Sequence, residues 1–441
     1  MLRGAHIGLL GAAVGVLSAL ALSQAHVSLV AEAAQGAAAD GQAALEQFRE
    51  IYQLVRERYV AVPDDSQLIE GAVKGLVQAL DPHSEYLDTQ SFRTLQEETR
   101  GMFGGLGLQV TMENGLVKVV APVPNSHAAK AGLKSGDVIV RLDGKPVRGL
   151  TINHAVERMR GPVDSTIRVT IARKGQPEPI ELSVVRDLIR VQTASLRVIG
   201  GDIGYIRISK FNDLTGEDLQ KAMRDLSIRV PANRLRGYVL DLRNNPGGVL
   251  EQAISVSNAF LKLGDIVTTR GRNTGDNQHF TAAAGLGDLD KGKPLIVLIN
   301  GGSASAAEIV AGALQDNKRA TVLGTRSFGK GSVQSIVPIG TNRGALRLTT
   351  AFYYTPRGHS IQAKGITPDI EVTQEDPEAQ QLRAPIIDGE ATLRNHLRGQ
   401  GEERPGSEAY VPPESADDKA LNMSVDLLRG TASHPAFLRA N

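Results

Sequence analysis

A serine-containing turn between a strand and a helix is the first place in this sequence where chemistry is expected. The segment Asn300–Glu308 reads Asn-Gly-Gly-Ser-Ala-Ser-Ala-Ala-Glu; it follows an apolar strand pattern and leads into a helix with an apolar face. The first N–H groups of a helix have no partner inside it, and with the helix dipole they can hold a developing oxyanion. Ser303 and Ser305 are both candidate nucleophiles, and the alternative is that one of them only caps the helix.

A serine nucleophile needs a base, which is most often a histidine oriented by an aspartate. His359, in Arg-Gly-His-Ser-Ile, is the one histidine in a dense polar motif. Neither Ser303 nor Ser305 lies in a Gly-x-Ser-x-Gly elbow. The sequence therefore offers little support for an ordinary triad.

The glycine-rich loop Gly324–Gln334 contains a single lysine, Lys330, among mostly small or apolar residues. It nearly matches a phosphate-binding P-loop, but Gly331 stands where the magnesium-binding hydroxyl belongs, and a strand-like pattern follows instead of a helix. Both departures disfavour a nucleotide site.

Lys330 can instead serve as the base for a serine if its amine is uncharged. Lowering a lysine pKa from about 10.4 to about 7 disfavours the charge by roughly 4–5 kcal/mol, which burial among apolar groups can supply. Gln334 could orient the amine without adding a negative charge, whereas an aspartate would raise the lysine pKa. The alternative is that Lys330 is a solvated loop lysine.

These two segments, 300–308 and 324–334, resemble the carboxy-terminal processing proteases, also called tail-specific proteases. The resemblance covers about residues 45–372 and implies a Ser–Lys site assisted by glutamine. It implies Ser305 as nucleophile, Lys330 as general base and Gln334 as orienting residue, and it selects Ser305 over Ser303. It implies no cofactor and no metal.

Other segments agree with this resemblance. Asp241-Leu-Arg-Asn-Asn-Pro-Gly-Gly248 resembles a family loop, and the resemblance implies that the backbone N–H groups of Gly248 and Ala306 form the oxyanion hole; the alternative is a plain Pro-Gly-Gly turn. The 358–369 segment matches the end of the family core, which makes His359 structural. Asp81-Pro-His-Ser-Glu-Tyr86 resembles the motif that closes the helical N-terminal region, with His83 structural.

A β-rich module with short strands and glycine turns resembles a PDZ domain. Its predicted carboxylate-binding loop consists of Phe103, Gly104, Gly105, Leu106 and Gly107. Successive backbone N–H groups without side-chain bulk can hold a terminal carboxylate while the peptide adds as a strand. The resemblance thus implies capture of protein substrates by their apolar C-termini.

Composition limits the other function classes. The 441 residues suggest roughly three domains at about 150 residues each. With 49 basic and 48 acidic residues, the net charge of +1 disfavours nucleic-acid partners. The absence of cysteine excludes disulfide scaffolds, thiolate metal sites and cysteine nucleophiles.

A positive start, an apolar run and Ala-Glu-Ala near Ala33 predict an export signal, and hence a periplasmic or other extracytoplasmic location. The alternative is an uncleaved membrane anchor.

The predicted fold class is a multidomain α/β (α+β) protein: a crotonase/ClpP-like protease core, an inserted PDZ domain and a helical N-terminal region. The predicted parts are a signal or anchor (1–33), the helical region (34–96), the PDZ domain (97–188), the protease core (189–373) and a polar tail (374–441). The tail is expected to be mobile over 374–418 and to end in a short helix.

We therefore expect an exported serine endopeptidase that cleaves proteins at or near their C-terminal region. An envelope adaptor and a homo-oligomer are further partners consistent with this reading, as is an enzyme that stays latent until a partner or substrate aligns the site. The rival hypothesis is a non-catalytic PDZ scaffold, in which replacement of Ser305 has no measurable effect.

Overall fold

The computed structural model describes residues 41–283, 289–341, 343–374 and 389–438. The predicted signal or anchor at 1–33 lies outside the described residues. Within these ranges, no helix is long and apolar enough to cross a membrane.

Two helices begin the described chain. Residues 41–58 form α1 and Asp65–Gln78 form α2, where apolar residues recur at three- and four-residue spacing. Asp64 precedes α2, and its Oδ1 accepts hydrogen bonds from the backbone N–H groups of Ser66 and Gln67. This carboxylate satisfies donors that the helix leaves unpaired.

A short strand and a third helix follow the break at Asp81-Pro82. They are β1 (Glu85–Leu87) and α3 (Thr89–Arg100). Asp88 caps α3 by accepting a hydrogen bond from the N–H of Ser91. The helix ends at Gly101, whose φ of 69° is a left-handed conformation that glycine adopts without strain.

The β-rich module follows α3. Its elements are β2 (Met102–Gly105), β3 (Leu108–Glu113), β4 (Leu116–Pro122), α4 (His127–Lys130), β5 (Val138–Leu142), β6 (Lys145–Pro146), α5 (Ile152–Met159), β7 (Thr166–Ala172), β8 (Ile180–Val185) and β9 (Asp187–Arg190). Strands β3, β4, β5, β7 and β8 form an antiparallel sheet in that order, and β6 pairs with β5. Because β3 is the first strand of this sheet, one of its edges has no partner strand in the described chain. Strands β2 and β9 pair separately and bring the two ends of the module together.

The remaining chain alternates strands and helices. These elements are β10 (Ala194–Ile199), β11 (Ile203–Ile208), α6 (Thr215–Arg229), β12 (Gly237–Asp241), α7 (Leu250–Phe260), β13 (Asp265–Gly271), β14 (Gln278–Thr281), β15 (Leu295–Ile299), α8 (Ala306–Asp316), β16 (Thr321–Gly324), β17 (Ser332–Pro338), β18 (Ala345–Tyr354), β19 (Ile370–Glu371) and α9 (Lys419–Arg429). Six strands form one sheet in the order β10-β11-β12-β15-β16-β19, in which β10 is antiparallel to β11 and the other neighbours are parallel.

Both faces of this sheet are covered, which explains why β12 and β15 are buried at every position. Along β15, Val297 and Ile299 pack in the cluster that contains the apolar faces of α6, α7 and α8. Ile296 and Leu298 face the other way, into a cluster with α9. The carboxyl end of β15 therefore delivers the serine-containing turn to a fixed position at one edge of a packed sheet.

A second sheet carries the residues that follow the lysine loop. Strands β1 and β13 pair with opposite ends of β18, β14 pairs with β13, and β17 pairs with β18 along most of its length. The register of β17 on β18 shifts between Val333 and Gln334. Such a bulge redirects a side chain, and here it redirects that of Gln334.

The C-terminal segment packs on the protease core. The expectation of a mobile stretch over 374–418 is wrong for residues 389–418, because loops of the core pair with their backbone groups. The carbonyl of Glu408 accepts hydrogen bonds from Gly301 N and Thr325 Oγ1, both at 2.8 Å, and Glu390 N donates to Phe328 O. Residues 375–388 lie outside the described ranges.

The helix predicted near Leu421–Leu428 is present as α9. A buried ion pair attaches its first turn to the core: Arg243 makes two hydrogen bonds of 2.8 Å to the carboxylate of Asp418, which also caps α9 through Leu421 N. The same guanidinium bonds to Asp241 at the end of β12.

Candidate active site

Ser305 occupies the turn between β15 and α8. Its φ of 53° and ψ of −114° form a conformation that a residue other than glycine adopts only when the surrounding structure imposes it. Strain of this kind is typical of a nucleophile held at the start of a helix. The residue lines a cleft of about 610 Å³.

Ser303, the other candidate, has a structural role. It is fully buried, and its hydroxyl donates to Leu242 O (2.8 Å) and accepts from Asn300 N (3.0 Å). Both functions of this hydroxyl are therefore used to hold the turn.

Glu308 connects the serine turn with the lysine loop. It is completely buried; its Oε2 accepts hydrogen bonds from the backbone N–H groups of Ser305 (2.7 Å) and Lys330 (2.9 Å). Its Oε1 accepts from Ser327 Oγ (2.6 Å) and Gly329 N (2.7 Å). Burial raises the pKa of Glu308 to about 7, while these four donors favour the carboxylate form. One oxygen atom thus fixes the backbones of both candidate catalytic residues.

Two backbone N–H groups beside Ser305 donate to no residue in the described ranges, namely those of Gly248 and Ala306. Gly247, by contrast, donates to Asn245 Oδ1 at 2.9 Å. A Cβ on Gly247 would lie 2.8 Å from the Cβ of Ser305 and 3.0 Å from the nitrogen of Ala306, so the glycine pair lies directly against the serine. The unpaired donors belong to the two residues for which oxyanion contacts were predicted.

Lys330 lines the same cleft as Ser305. Its amine has no hydrogen-bond partner among the residues that the structure describes. Burial lowers the pKa of Lys330 and the guanidinium of Arg347 lowers it further, while three carboxylates act in the opposite direction. Those carboxylates belong to Glu390, Glu308 and Asp81. A lowered pKa favours the uncharged amine that a general base requires.

The loop around Lys330 leads into strand β17 and not into a helix. A phosphate-binding P-loop places its lysine at the start of a helix, so the architecture excludes the nucleotide interpretation. Across the described ranges, no group of three or more His, Asp or Glu side chains is arranged to hold a metal ion.

Gln334 lines the cleft, but no hydrogen bond joins it to Lys330 in this arrangement. Its amide nitrogen donates to Ser332 Oγ (3.0 Å) and to Thr349 Oγ1 (3.1 Å). Its Oε1 accepts no hydrogen bond from any part of the chain that the structure describes.

The two histidines singled out in the sequence, His359 and His83, do not line the cleft. His359 lines a separate cavity together with Asp316 and Lys364, and so does not pair with Ser305. The Nε2 of His83 lies 2.8 Å from Glu390 Oε2. Among the residues that the structure describes, no histidine therefore pairs with Ser305 at the cleft.

Comparison with known proteins decides the family. A model of peptidase family S41 matches residues 202–372, a PDZ domain model matches 118–173, and a model of the N-terminal domain of the activating protease CtpB matches 9–91. The carboxy-terminal-processing protease of Bartonella bacilliformis is 53% identical over 395 residues, which cover 89% of this chain and 90% of the relative. The chain belongs to the carboxy-terminal processing proteases.

Two further comparisons give the range of similarity. The carboxy-terminal processing protease CtpA of Bacillus subtilis is 34% identical over 82% of this chain and 75% of its own length. A solved structure named photosystem II D1 C-terminal processing protease is 29% identical, with a TM-score of 0.44, over 74% of this chain and 86% of that one. This protein is thus a serine-type peptidase with an S41 core, a PDZ domain and a helical N-terminal region, as predicted from the sequence.

In this protease, the five predicted carboxylate-binding residues divide into two groups. Phe103, Gly104 and Gly105 lie in β2 and pair with β9. Leu106 and Gly107 form the turn into β3; both are buried, yet their N–H groups donate to nothing in the described chain. Buried, unpaired N–H groups are rare in proteins. The side chains of β3 and α5 beside this turn share one apolar cluster.

Sequence reasoning about this protease missed Arg347, which lines the cleft, and two fully buried carboxylates that act on Lys330, those of Glu308 and Glu390. Glu308 had a usable signal, because Ser-x-x-Glu at the start of a helix is a capping-box pattern. Arg347 and Glu390 had none: each is far in sequence from Lys330, and only the folded chain brings their charges near its amine.

Proposed function

We propose that this protease cleaves peptide bonds with Ser305 as nucleophile and Lys330 as general base, assisted by Gln334. The observation that carries the proposal is the shared contact at Glu308, whose Oε2 bonds to the backbone nitrogens of both Ser305 and Lys330. The lowered pKa of the Lys330 amine supports the role of base.

The reaction proceeds through an acyl-enzyme. The hydroxyl of Ser305 transfers its proton to the uncharged amine of Lys330 as its oxygen attacks the substrate carbonyl. The ammonium then gives that proton to the leaving amine, the C–N bond breaks, and the substrate acyl group stays on Ser305. Water, deprotonated by Lys330, releases the acyl group.

The N–H groups of Gly248 and Ala306 hold the oxyanion in this scheme. Their lack of partners in the described chain supports this role, since a preorganised donor is most effective when nothing else occupies it. Loss of one such donor typically lowers the rate by about 10²–10³-fold.

Substrate capture by the PDZ domain precedes cleavage. The apolar C-terminus of a protein adds as a strand at the free edge of β3, and its carboxylate binds in the loop 103–107, with the N–H groups of Leu106 and Gly107 as donors. Binding by the terminal carboxylate selects chain ends, so cleavage falls at or near the C-terminal region of the substrate.

The protein acts outside the cytoplasm in this proposal, after export directed by its N-terminal segment. Gln334 bonds to Ser332 and Thr349 and not to Lys330, so aligning the lysine requires a small rearrangement. A bound substrate, an envelope adaptor or a second copy of the chain would supply it.

Replacement of the nucleophile tests this function. In the full chain, Ser305→Ala is expected to lower cleavage of a peptide with an apolar C-terminus by about 10⁴-fold or more, while capture of that peptide is retained. Ser335→Ala is the matched control, because that hydroxyl bonds to Thr350 outside the cleft. Cleavage by the Ser305→Ala protein at the wild-type rate would refute the nucleophile, whereas capture without cleavage by the wild-type chain would favour the non-catalytic scaffold.

A further inference from the structure

The segment Asp81–Ser84 has no role in the proposed reaction, yet it lies beside Gln334. Ser84 Oγ accepts a hydrogen bond from the backbone N–H of Thr349 on β18 (3.0 Å). The hydroxyl of Thr349 donates to Asp81 Oδ1 (3.1 Å) and accepts from Gln334 Nε2 (3.1 Å). A relay of two hydrogen bonds therefore connects Asp81 with the cleft.

Asp81 is 3% exposed and acts only as an acceptor. Besides Thr349, it accepts from His83 N (2.9 Å), Ser84 N (2.9 Å) and Ser84 Oγ (2.6 Å). Burial alone would raise the pKa of Asp81, but these hydrogen bonds bring it below its ordinary value. The group is therefore a carboxylate with no proton to donate.

This charge state decides the direction of every hydrogen bond in the relay. A threonine hydroxyl has one hydrogen to donate, and Thr349 donates it to Asp81 Oδ1. The oxygen of Thr349 can then only accept, so the end of the Gln334 amide that faces it must be the NH₂ group. The second N–H of that group donates to Ser332 Oγ. The carbonyl oxygen of Gln334 is left for the cleft.

The opposite amide orientation would disable the base. An NH₂ group directed at the Lys330 amine would donate to the nitrogen lone pair, which is the electron pair that must receive the proton of Ser305. A carbonyl oxygen instead accepts an N–H of the amine and leaves the lone pair directed at the hydroxyl. Catalysis thus depends on which end of the amide faces the lysine.

We propose that Asp81 and Thr349 are positioning residues that fix the amide orientation of Gln334, so that its Oε1 is presented to the amine of Lys330. The inference rests on the proposed function, in which Lys330 is the base and Gln334 orients it. It gives the Asp-Pro-His-Ser segment a part in the reaction.

Thr349→Val removes the relay without changing any charge. In the full chain, we expect kcat to fall about 10–100-fold with little change in KM, because the side-chain amide of Gln334 can then rotate into the opposite orientation. Thr349→Ser restores the hydroxyl and most of the rate. Thr350→Val is the matched control: it lies next along β18 and its hydroxyl bonds to Ser335, so its kcat should equal that of the wild type.

A double-mutant cycle separates positioning from a general loss of structure. If Thr349 acts through Gln334, Thr349→Val causes no further loss in a Gln334→Ala background. A loss that multiplies fully with that of Gln334→Ala would overturn the inference. If Gln334→Ala lowers kcat but Thr349→Val does not, this inference fails and the proposed function stands. If Gln334→Ala keeps full activity, the assisting role of Gln334 in the proposed function fails, and this inference with it.

Asp81→Ala, which removes both carboxylate oxygens, is the second variant, should Thr349→Val not fold. Four charged groups act on the Lys330 amine: Asp81, Glu308, Arg347 and Glu390. Removing the negative charge of Asp81 lowers the lysine pKa further, so the acid limb of the kcat profile moves to lower pH while its plateau falls. In Thr349→Val the limb stays in place. A wild-type plateau in Asp81→Ala would contradict the relay.

Discussion

The serine turn (300–308) and the lysine loop (324–334) of this protease are held in different ways. The serine turn combines contacts within the turn with distant ones: Glu308 bonds to the backbone N–H of Ser305, while Gly301 N donates to Glu408 O in the C-terminal segment. The lysine loop depends more on distant segments. Gly331 N donates to Gln362 Oε1, and Gln362 Nε2 donates to Glu390 in the C-terminal segment.

This difference indicates which half of the site can be adjusted. A strained serine at the start of a helix packed in the core has little freedom to move. A loop held by side chains from elsewhere in the chain changes its alignment when those segments shift. We therefore expect control of the protease to act on Lys330 and not on Ser305.

The largest expected effect that sharpens this contrast is at Lys330. Lys330→Met should lower kcat by about 10⁴-fold or more while raising the melting temperature at neutral pH. Burial lowers the lysine pKa in the folded state, so the unfolded chain binds more protons between the two pKa values and stability rises with pH there. The methionine variant has no amine to deprotonate on folding, so it is more stable than the wild type at neutral pH. This difference in melting temperature should vanish as the pH approaches about 10.4.

Thermal unfolding measured from pH 6 to pH 10 gives the stability comparison, and peptide cleavage gives the rate. His359→Ala serves as the control and should retain activity within about twofold, since it lies in another cavity. If His359→Ala were the inactive variant and Lys330→Met the active one, the base would be a histidine.

A smaller loss of kcat is expected at Glu308, which contacts both the serine turn and the lysine loop. Glu308→Gln replaces an oxygen that accepts two hydrogen bonds by an NH₂ group, so either the backbone N–H groups of Ser305 and Lys330 or the donors on Oε1 lose their acceptor. Displacement of reacting groups by about 1 Å costs about 10²-fold, and we expect kcat to fall by that order. Peptide cleavage and peptide binding should be measured together, because only cleavage should change.

Glu217→Gln is the matched control, since Glu217 lies in the first turn of α6 and is exposed. Equal rates for Glu308→Gln and Glu217→Gln would break the comparison, because the two loops would then not depend on their common carboxylate.

The smallest effect on kcat is expected at Glu390, which lies in the C-terminal segment. Glu390→Gln removes a buried negative charge that raises the lysine pKa, so the acid limb of the kcat profile should move to lower pH. The plateau should fall by only about two- to tenfold, because an amide can still accept from Gln362. Glu402→Gln, in the same segment but exposed, should leave both limb and plateau unchanged. If the acid limb of Glu390→Gln moved to higher pH, Glu390 would not raise the pKa of Lys330 as assigned here.

The parts of this site that sequence reasoning located are those encoded in short stretches. The Ser305 turn and the Lys330 loop each carry their chemistry within about ten residues, and the strand and helix patterns around them identified a sheet with covering helices. The choice of Ser305 over Ser303 came from family resemblance. The structure adds a physical reason, since both functions of the Ser303 hydroxyl are used within the fold.

The parts that were missed depend on long-range contacts. Nothing in the polar, proline-containing stretch 374–418 indicates that Glu390 becomes fully buried, because its partners His83 and Gln362 are far from it in sequence. Composition therefore predicted mobility there. Likewise, Gln334 was expected to contact Lys330; its amide nitrogen bonds to the hydroxyls of Ser332 and Thr349, and no hydrogen bond joins its Oε1 to the lysine amine.

The contacts of the C-terminal segment also bear on how the molecule is made. Glu390, Glu408 and Asp418 bond respectively to the lysine loop, the serine turn and the strand end that leads to Gly247 and Gly248. Ribosomes build chains from the N-terminus, and earlier regions fold first. A nascent chain that already contains Ser305 and Lys330 still lacks these C-terminal partners. We therefore expect it to have no proteolytic activity until synthesis is complete.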